Sequence, residues 1–384
     1  MKRKICVVIT ARPSYSRIRS ALLALRNRDD VELQVVVAAS ALLDRYGRVV
    51  EVIRRDGFTV AAEVFSVVEG ENPISMAKTT GIGLIELSTV LANLKSDLAV
   101  TVADRFETLS TAIAASYQNI PLAHIQGGEV TGSIDEKVRH AVTKLADLHC
   151  VATGKAAERV IRMGEAKETV FVTGCPSIDI AAEIPPKGAL AFDPFQKYGG
   201  VGEIPNLKDG YVVVLQHPVT TEYEASFAHI QETLNAVKDL PLSVLWFWPN
   251  PDAGTDGTSR GIRAFREKES CPRLHFFKNM QPADFLQLAY NSRCLVGNSS
   301  VAIRECSFLG VPAVNIGSRQ SGRERGANVV DVGHDHAEIR NAIMSQMTHG
   351  RYECDALYGD GRAGSRIAEV LASAPLSFSK RLTY

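Results

Sequence analysis

The chain has 384 residues, 45% hydrophobic and 22% charged, which suits two ordinary domains and excludes global disorder. Its 43 basic and 43 acidic residues balance, so no net field draws it toward nucleic acid or acidic membranes. Seven scattered cysteines without a CxxC pair exclude a zinc ribbon or disulfide framework. No apolar run approaches the roughly 18 residues of a membrane span, so a cytoplasmic protein is expected.

Short apolar runs alternate with segments of helical period, the pattern of an α/β fold with parallel sheets. In the first half, strands are expected at 4–9, 32–38, 98–102 and 121–124, and helices near 15–26, 41–55, 74–94, 107–117 and 137–146. A Pro- and Gly-rich stretch, 185–209, reads as a linker. A second series of strands follows at 211–215, 243–247, 274–277, 294–296 and 313–316. A last helix is expected over 361–373, and the tail from 375 to 384 carries no signal. The economical architecture is two Rossmann-like doubly wound domains, 1–184 and 210–360, with 361–384 as terminal helix and tail. Ligands of such sheets gather at the carboxyl ends of the strands.

The first strand leads into Thr10-Ala11-Arg12-Pro13-Ser14-Tyr15-Ser16, a guanidinium and hydroxyls where a dinucleotide fold would need GxGxxG. The one GxGxxG, Gly359 to Gly364, has no clear strand before it and reads as a plain turn. No Walker sequence and no HExxH occurs, so nicotinamide, ATP hydrolysis and zinc chemistry lose ground.

Asp104-Arg105-Phe106-Glu107 follows the strand 98–102 and is equally readable as a structural ion pair or as chemistry. Gln126-Gly127-Gly128-Glu129 follows the next strand. Ser133 and Glu136 have capping-box spacing, while Asp135/Arg139 and Glu136/His140 are i,i+4 pairs that can hold a carboxylate rigidly. In the second half, His217 follows a strand and precedes Pro218, which makes it a candidate proton donor or phosphate ligand. Gly297-Asn298-Ser299-Ser300 is expected to open a helix whose N–H groups and dipole favour an anion, with Glu305 placed for a ribose diol. An ordinary serine N-cap accounts for the same residues. Arg12, Arg105 and Arg319 each follow an expected strand, a coincidence that favours a diphosphate site over solvated surface arginines. Cys175 has no visible paired base and reads as a buried small residue.

Taken in order, Arg12-x-x-x-Ser16, Asp104-Arg105-Phe106-Glu107, GGEVTGSIDEKVRHAVTKLA, GCPSID, LQHPVTTE, WPNPDAG, GNSSVAIRE and GSRQSGRERG resemble the hydrolysing UDP-N-acetylglucosamine 2-epimerases. These include sialic- and legionaminic-acid pathway enzymes and the epimerase domain of a bifunctional epimerase/kinase. The resemblance implies a two-domain glycosyltransferase-B-like fold with UDP in the interdomain cleft. It implies a nucleotide site of Arg12, Ser16, Arg105, His217, Asn250, Ser299, Ser300, Glu305 and Arg319, with backbone near Met280 receiving uracil. Asp104, Gln126, Asp135, Glu136, Arg139 and His217 match positions assigned to chemistry. The implied partner is a UDP-sugar alone, with no cofactor, no metal, no nucleic acid and no membrane, in a homo-oligomer (dimer or tetramer). Ala41 and Gln126 depart from the pattern, which has His and Glu there. Gln126 cannot act as an acid or base, so the proton shuttle or the substrate must differ.

Overall fold

The run Ile5-Cys6-Val7-Val8-Ile9 lacks polar alternation, so a strand made from it must be covered on both faces. The computed structural model describes residues 2–70, 72–131, 134–185, 190–249, 254–269 and 271–384, and in it all five of these side chains are buried. They belong to β1 (Arg3–Ile9) of a parallel sheet completed by β2 (Val31–Ala38), β3 (Val60–Val64), β4 (Leu98–Val102), β5 (Leu122–Ile125), β6 (Leu148–Val151) and β7 (Val170–Val172). The strand order is β3-β2-β1-β4-β5-β6-β7.

A second parallel sheet repeats the plan, with β8 (Tyr211–Leu215), β9 (Ser243–Phe247), β10 (Leu274–Phe277), β11 (Cys294–Gly297), β12 (Ala313–Ile316) and β13 (Val329–Val332). Its order is β10-β9-β8-β11-β12-β13. Each sheet therefore reverses its winding once, between β1 and β4 in the first and between β8 and β11 in the second. A doubly wound sheet opens a crevice at such a reversal, because the connections depart to opposite faces.

Two compact units result: Met1–Glu129 with Ile134–Asp179 and Tyr358–Tyr384, and Val130–Ser133 with Ile180–Leu357. The chain's end thus returns to the first unit. Its helix Ala363–Ser373 packs Ile367 and Leu371 against Ile18, Leu22 and Leu25. Asp179 caps that helix from a distance, accepting from the backbone N–H groups of Ala363 (2.9 Å) and Gly364 (2.7 Å). The GxGxxG segment supplies the turn before it, with Gly359 and Gly361 at positive φ.

Several expected elements need correction. The segment 15–26 is two helices, Arg12–Ser16 and Arg19–Arg26, broken where Ile18 leaves helical φ/ψ. The segment 41–55 begins as two 3₁₀ turns, Ala39–Leu42 and Asp44–Tyr46. Its α-helix, Val49–Arg55, starts only after Gly47 and Arg48 at positive φ. Strands β3, β6, β7 and β13 were not expected; three of them are partly exposed sheet edges, β7 only three residues long and β3 and β13 interrupted by Glu63 and Asp331. The described part of the segment 185–209 contains the helix Pro194–Tyr198, whose Phe195 and Tyr198 pack on the second unit's core.

Candidate functional site

In the first unit, the carboxyl ends of the strands carry a connected set of charges. Arg139, on the helix Asp135–Leu145, is fully buried. One of its terminal nitrogens donates to Asp104 Oδ2, while the other donates to Glu136 Oε2 (2.9 Å) and the Glu129 carbonyl (2.8 Å). Burial alone would lower the guanidinium's pKa, but Asp104, Glu129 and Glu136 outweigh it and hold the group above its ordinary value. Glu136 is also bonded to His140 Nε2 (2.8 Å), and Arg17 approaches Asp104 Oδ1 to 3.7 Å. Arg105 makes a two-pronged pair with the buried Glu107, at 3.1 Å for each bond.

The backbone that aims these groups is unusual. Ala103, after β4, and Gln126, after β5, both sit at positive φ (66° and 69°), a region that non-glycine residues rarely occupy. Ala103 is held there by His124, whose Nε2–H donates to the Ala103 carbonyl (2.8 Å) while Nδ1 accepts from Thr143 Oγ1 (3.1 Å). Burial drives the His124 pKa down to about 3, so the ring is neutral. Gln126 Nε2 lies 2.6 Å from Cys175 Sγ, and its buried Oε1 has no partner among the described residues. Arg12 and Ser16 lie on the one-turn helix after β1, where Ser16 Oγ donates to the Arg12 carbonyl (3.2 Å).

The second unit's carboxyl edge is built differently. Gly297 closes β11 at φ 133°, where a Cβ would stand 2.2 Å from the Leu215 carbonyl, so only glycine lets β11 and β8 approach. The expected helix after it is not continuous. Ser300–Ala302 is one 3₁₀ turn and Glu305–Phe308 a separate single turn, so few peptide dipoles align and the dipole argument loses its basis. What remains is local: Ser299 Oγ accepts from Val301 N–H (3.4 Å), and Ser300 stands beside it. Glu305 is buried, and its Oε2 has no hydrogen-bond partner among the described residues. Arg319, past β12, donates to the Asn298 carbonyl (3.2 Å). Met280 is buried after β10, its backbone N–H donating to Asn279 Oδ1 (2.8 Å).

The structure thus joins Asp104, Glu136 and Arg139 directly, and it places His217, Ser299, Ser300 and Arg319 just past the ends of β8, β11 and β12, with Glu305 opening the turn Glu305–Phe308 farther along. Asp135 is the first residue of its helix. Asn250 and the Ser133 of the expected capping box lie outside the described residues. Sequence reasoning assigned no role to Arg17, Glu107, Glu129 or Asn298, although the last three lie within or beside the motifs it singled out. Near Ser318, Glu222, His229 and His334 bring three potential metal-ligand atoms within 4.8 Å of one another. The two imidazoles stack at 3.6 Å and 3° from parallel, so their in-plane lone pairs do not converge on one ion.

Comparison with known proteins identifies the family. Residues 23–372 match the family model described as UDP-N-acetylglucosamine 2-epimerase. The chain is 32% identical over 376 residues to the UDP-N,N'-diacetylbacillosamine 2-epimerase (hydrolyzing) of Legionella pneumophila, covering 98% of this chain and 97% of that one. It is 27% identical to the UDP-N-acetylglucosamine 2-epimerase of Neisseria meningitidis, covering 97% and 95%. Its fold superposes on the Methanocaldococcus jannaschii UDP-GlcNAc 2-epimerase with a TM-score of 0.80 at 16% identity, covering 96% and 99%. A family match across most of the chain and a full-length relative above 30% identity lead to one conclusion: the chain belongs to the UDP-N-acetylglucosamine 2-epimerase family.

Proposed function

We propose that the protein is a hydrolysing 2-epimerase that converts a UDP-linked 2-acetamido sugar to the free 2-epimeric sugar and UDP. The observation that carries this reading is the Asp104–Arg139–Glu136 network, built on the buried Arg139, at the first unit's strand ends. Transfer of a sugar to an acceptor needs no such set, whereas inversion at C2 needs a carboxylate held rigidly against a C–H bond. The first unit's edge takes the sugar, and the second unit's edge takes the nucleotide through Arg319, Ser299, Ser300 and Glu305.

Asp104 or Glu136 removes the C2 proton while the anomeric C1–O bond breaks and UDP departs. Arg12, Arg105 and Arg319 stabilise the charge that develops on the diphosphate, and His217 steadies it or protonates the leaving oxygen. The glycal left behind receives a proton on the opposite face of C2, and water adds its oxygen at C1. The likeness to the Legionella enzyme favours a 2,4-diacetamido-6-deoxy sugar as substrate, with N-acetylglucosamine as the second choice. The exposed Ile74, Ile82 and Ile85 on one helix support a homo-oligomer.

Incubation with each UDP-sugar in deuterated water, without an acceptor, tests the reading. The expected products are stoichiometric UDP and a free sugar carrying deuterium at C2. Protium at C2 would sink the elimination route, intact donor would favour a glycosyltransferase or an inactive binder, and UDP-linked product would mark a non-hydrolysing epimerase.

A further inference from the structure

We infer that Asn298 is the positioning residue of the second unit's strand edge, its side-chain amide setting His217 and its backbone carbonyl receiving the Arg319 guanidinium; this rests on the nucleotide-binding reading above. Asn298 is completely buried at the reversal between β8 and β11. Its side-chain amide closes a ring with the backbone of His217. Oδ1 accepts from the His217 N–H and Nδ2 donates to the His217 carbonyl, each at 2.8 Å. The amide therefore continues the β8–β11 pairing past Gly297↔Leu215, at the point where β8 ends and the chain turns toward Pro218.

The backbone of the same residue faces β12. Its carbonyl accepts from Arg319 Nη1 (3.2 Å) and from Gln320 Nε2 (2.9 Å). Gln320 is buried, and its side-chain oxygen accepts from Arg323 Nη1 (2.9 Å), so the carbonyl's neighbours are fixed in turn. One residue thus links three strand ends, and the two it orients carry the groups assigned to the diphosphate. Only an amide can close the ring on His217. A carboxylate would accept from the His217 N–H but would set an oxygen against the His217 carbonyl, and an aliphatic side chain would leave both backbone groups buried without partners.

The test measures UDP affinity by calorimetry for the wild type, Asn298→Asp and Asn298→Ala, each checked for folding by its melting transition. It repeats the measurement in a His217→Ala background, with backbone hydrogen exchange at residue 217 as a ligand-free readout. The expected result is a tenfold or greater loss of affinity in both variants and faster exchange at residue 217. The loss should shrink to under threefold when His217 is already alanine, because the imidazole to be positioned is gone. Full affinity in a folded Asn298→Ala protein would overturn the assignment. So would equal losses in the two backgrounds, the mark of a merely structural role. If Asn298→Ala does not fold, the near-isosteric Asn298→Asp decides by the same criteria. A wild type that binds UDP but turns over no sugar nucleotide would defeat the epimerase reading and leave the Asn298 result standing. A wild type that binds no UDP would overturn both.

Discussion

The two sheets share one strand order, yet their carboxyl edges solve different problems. At the first, Asp104 and Glu136 are both paired with the buried Arg139. At the second, the polar groups are mostly neutral amides and hydroxyls, and the buried Glu305 Oε2 has no partner among the described residues. A network that is complete in itself is rigid and suits bond-making on a fixed substrate, whereas an unspent acceptor suits a ligand that brings its own donors. The first edge also holds an unspent acceptor, the buried Gln126 Oε1, so the contrast lies in the carboxylates: Asp104 is paired with a guanidinium and Glu305 Oε2 is not, which matches the roles proposed for the two edges.

The sharpest way to break that contrast is Arg139→Met. It takes the buried cation from the buried Asp104 and the partly exposed Glu136, and breaking a buried pair such as Asp104–Arg139 costs about 3–5 kcal/mol. Thermal or urea unfolding should show that loss, and turnover should fall below about 1% because both carboxylates shift. A stable, active variant would mean that the network is incidental.

Glu305→Gln and Arg319→Ala should behave in the opposite way. A hydrogen bond to a charged group is worth roughly 1.5–3 kcal/mol, so each variant should bind UDP about tenfold more weakly or worse. Glu305→Gln should not lower the melting temperature, since Oε2 has no partner to lose among the described residues and a buried carboxylate is costly. Calorimetry and melting curves on the same samples check both halves. A destabilised Glu305→Gln with normal UDP affinity would place Glu305 in the scaffold and not in the nucleotide site.

Much of this was legible in the chain. The strand ends before Asp104, His217 and Arg319 were readable because apolar runs stop abruptly at polar or glycine-bearing turns. What sequence could not convey was nonlocal or strained. Nothing near Ala103 or Gln126 announces a left-handed conformation, which glycine would usually signal. The Gly297–Glu305 segment resembled a helix start, but it is split into two short turns, Ser300–Ala302 and Glu305–Phe308. The apparently signal-free tail carries Lys380, which donates to the Thr143 and Ala146 carbonyls at the end of the Arg139 helix and pairs with Glu165 (2.6 Å). Partners more than 200 positions apart leave no local pattern to read.

The smallest expected effect concerns the strain that aims Asp104. His124 is neutral because burial holds its pKa at about 3, against 6.5 when unfolded. The unfolded chain alone then takes up this proton between those values. The neutral ring's contribution is intact above pH 6.5 and is lost progressively as pH falls toward 3. Each pH unit well inside that window is worth up to about 1.4 kcal/mol, and at pH 6 the loss is still under about 1 kcal/mol. His124→Gln keeps an N–H able to reach the Ala103 carbonyl but cannot titrate. It should therefore flatten the dependence of unfolding free energy on pH between 6.5 and about 5, where Glu165, held down to about 2 despite its burial by His149, Lys144 and Lys380, stays ionised. Some slope should survive, since buried His149 is also held below its ordinary value. If the slope is the same in variant and wild type, His124 is not the neutral buried ring that props Ala103. The geometry of Asp104 would then rest on side-chain pairs such as those with Arg139 and Arg17.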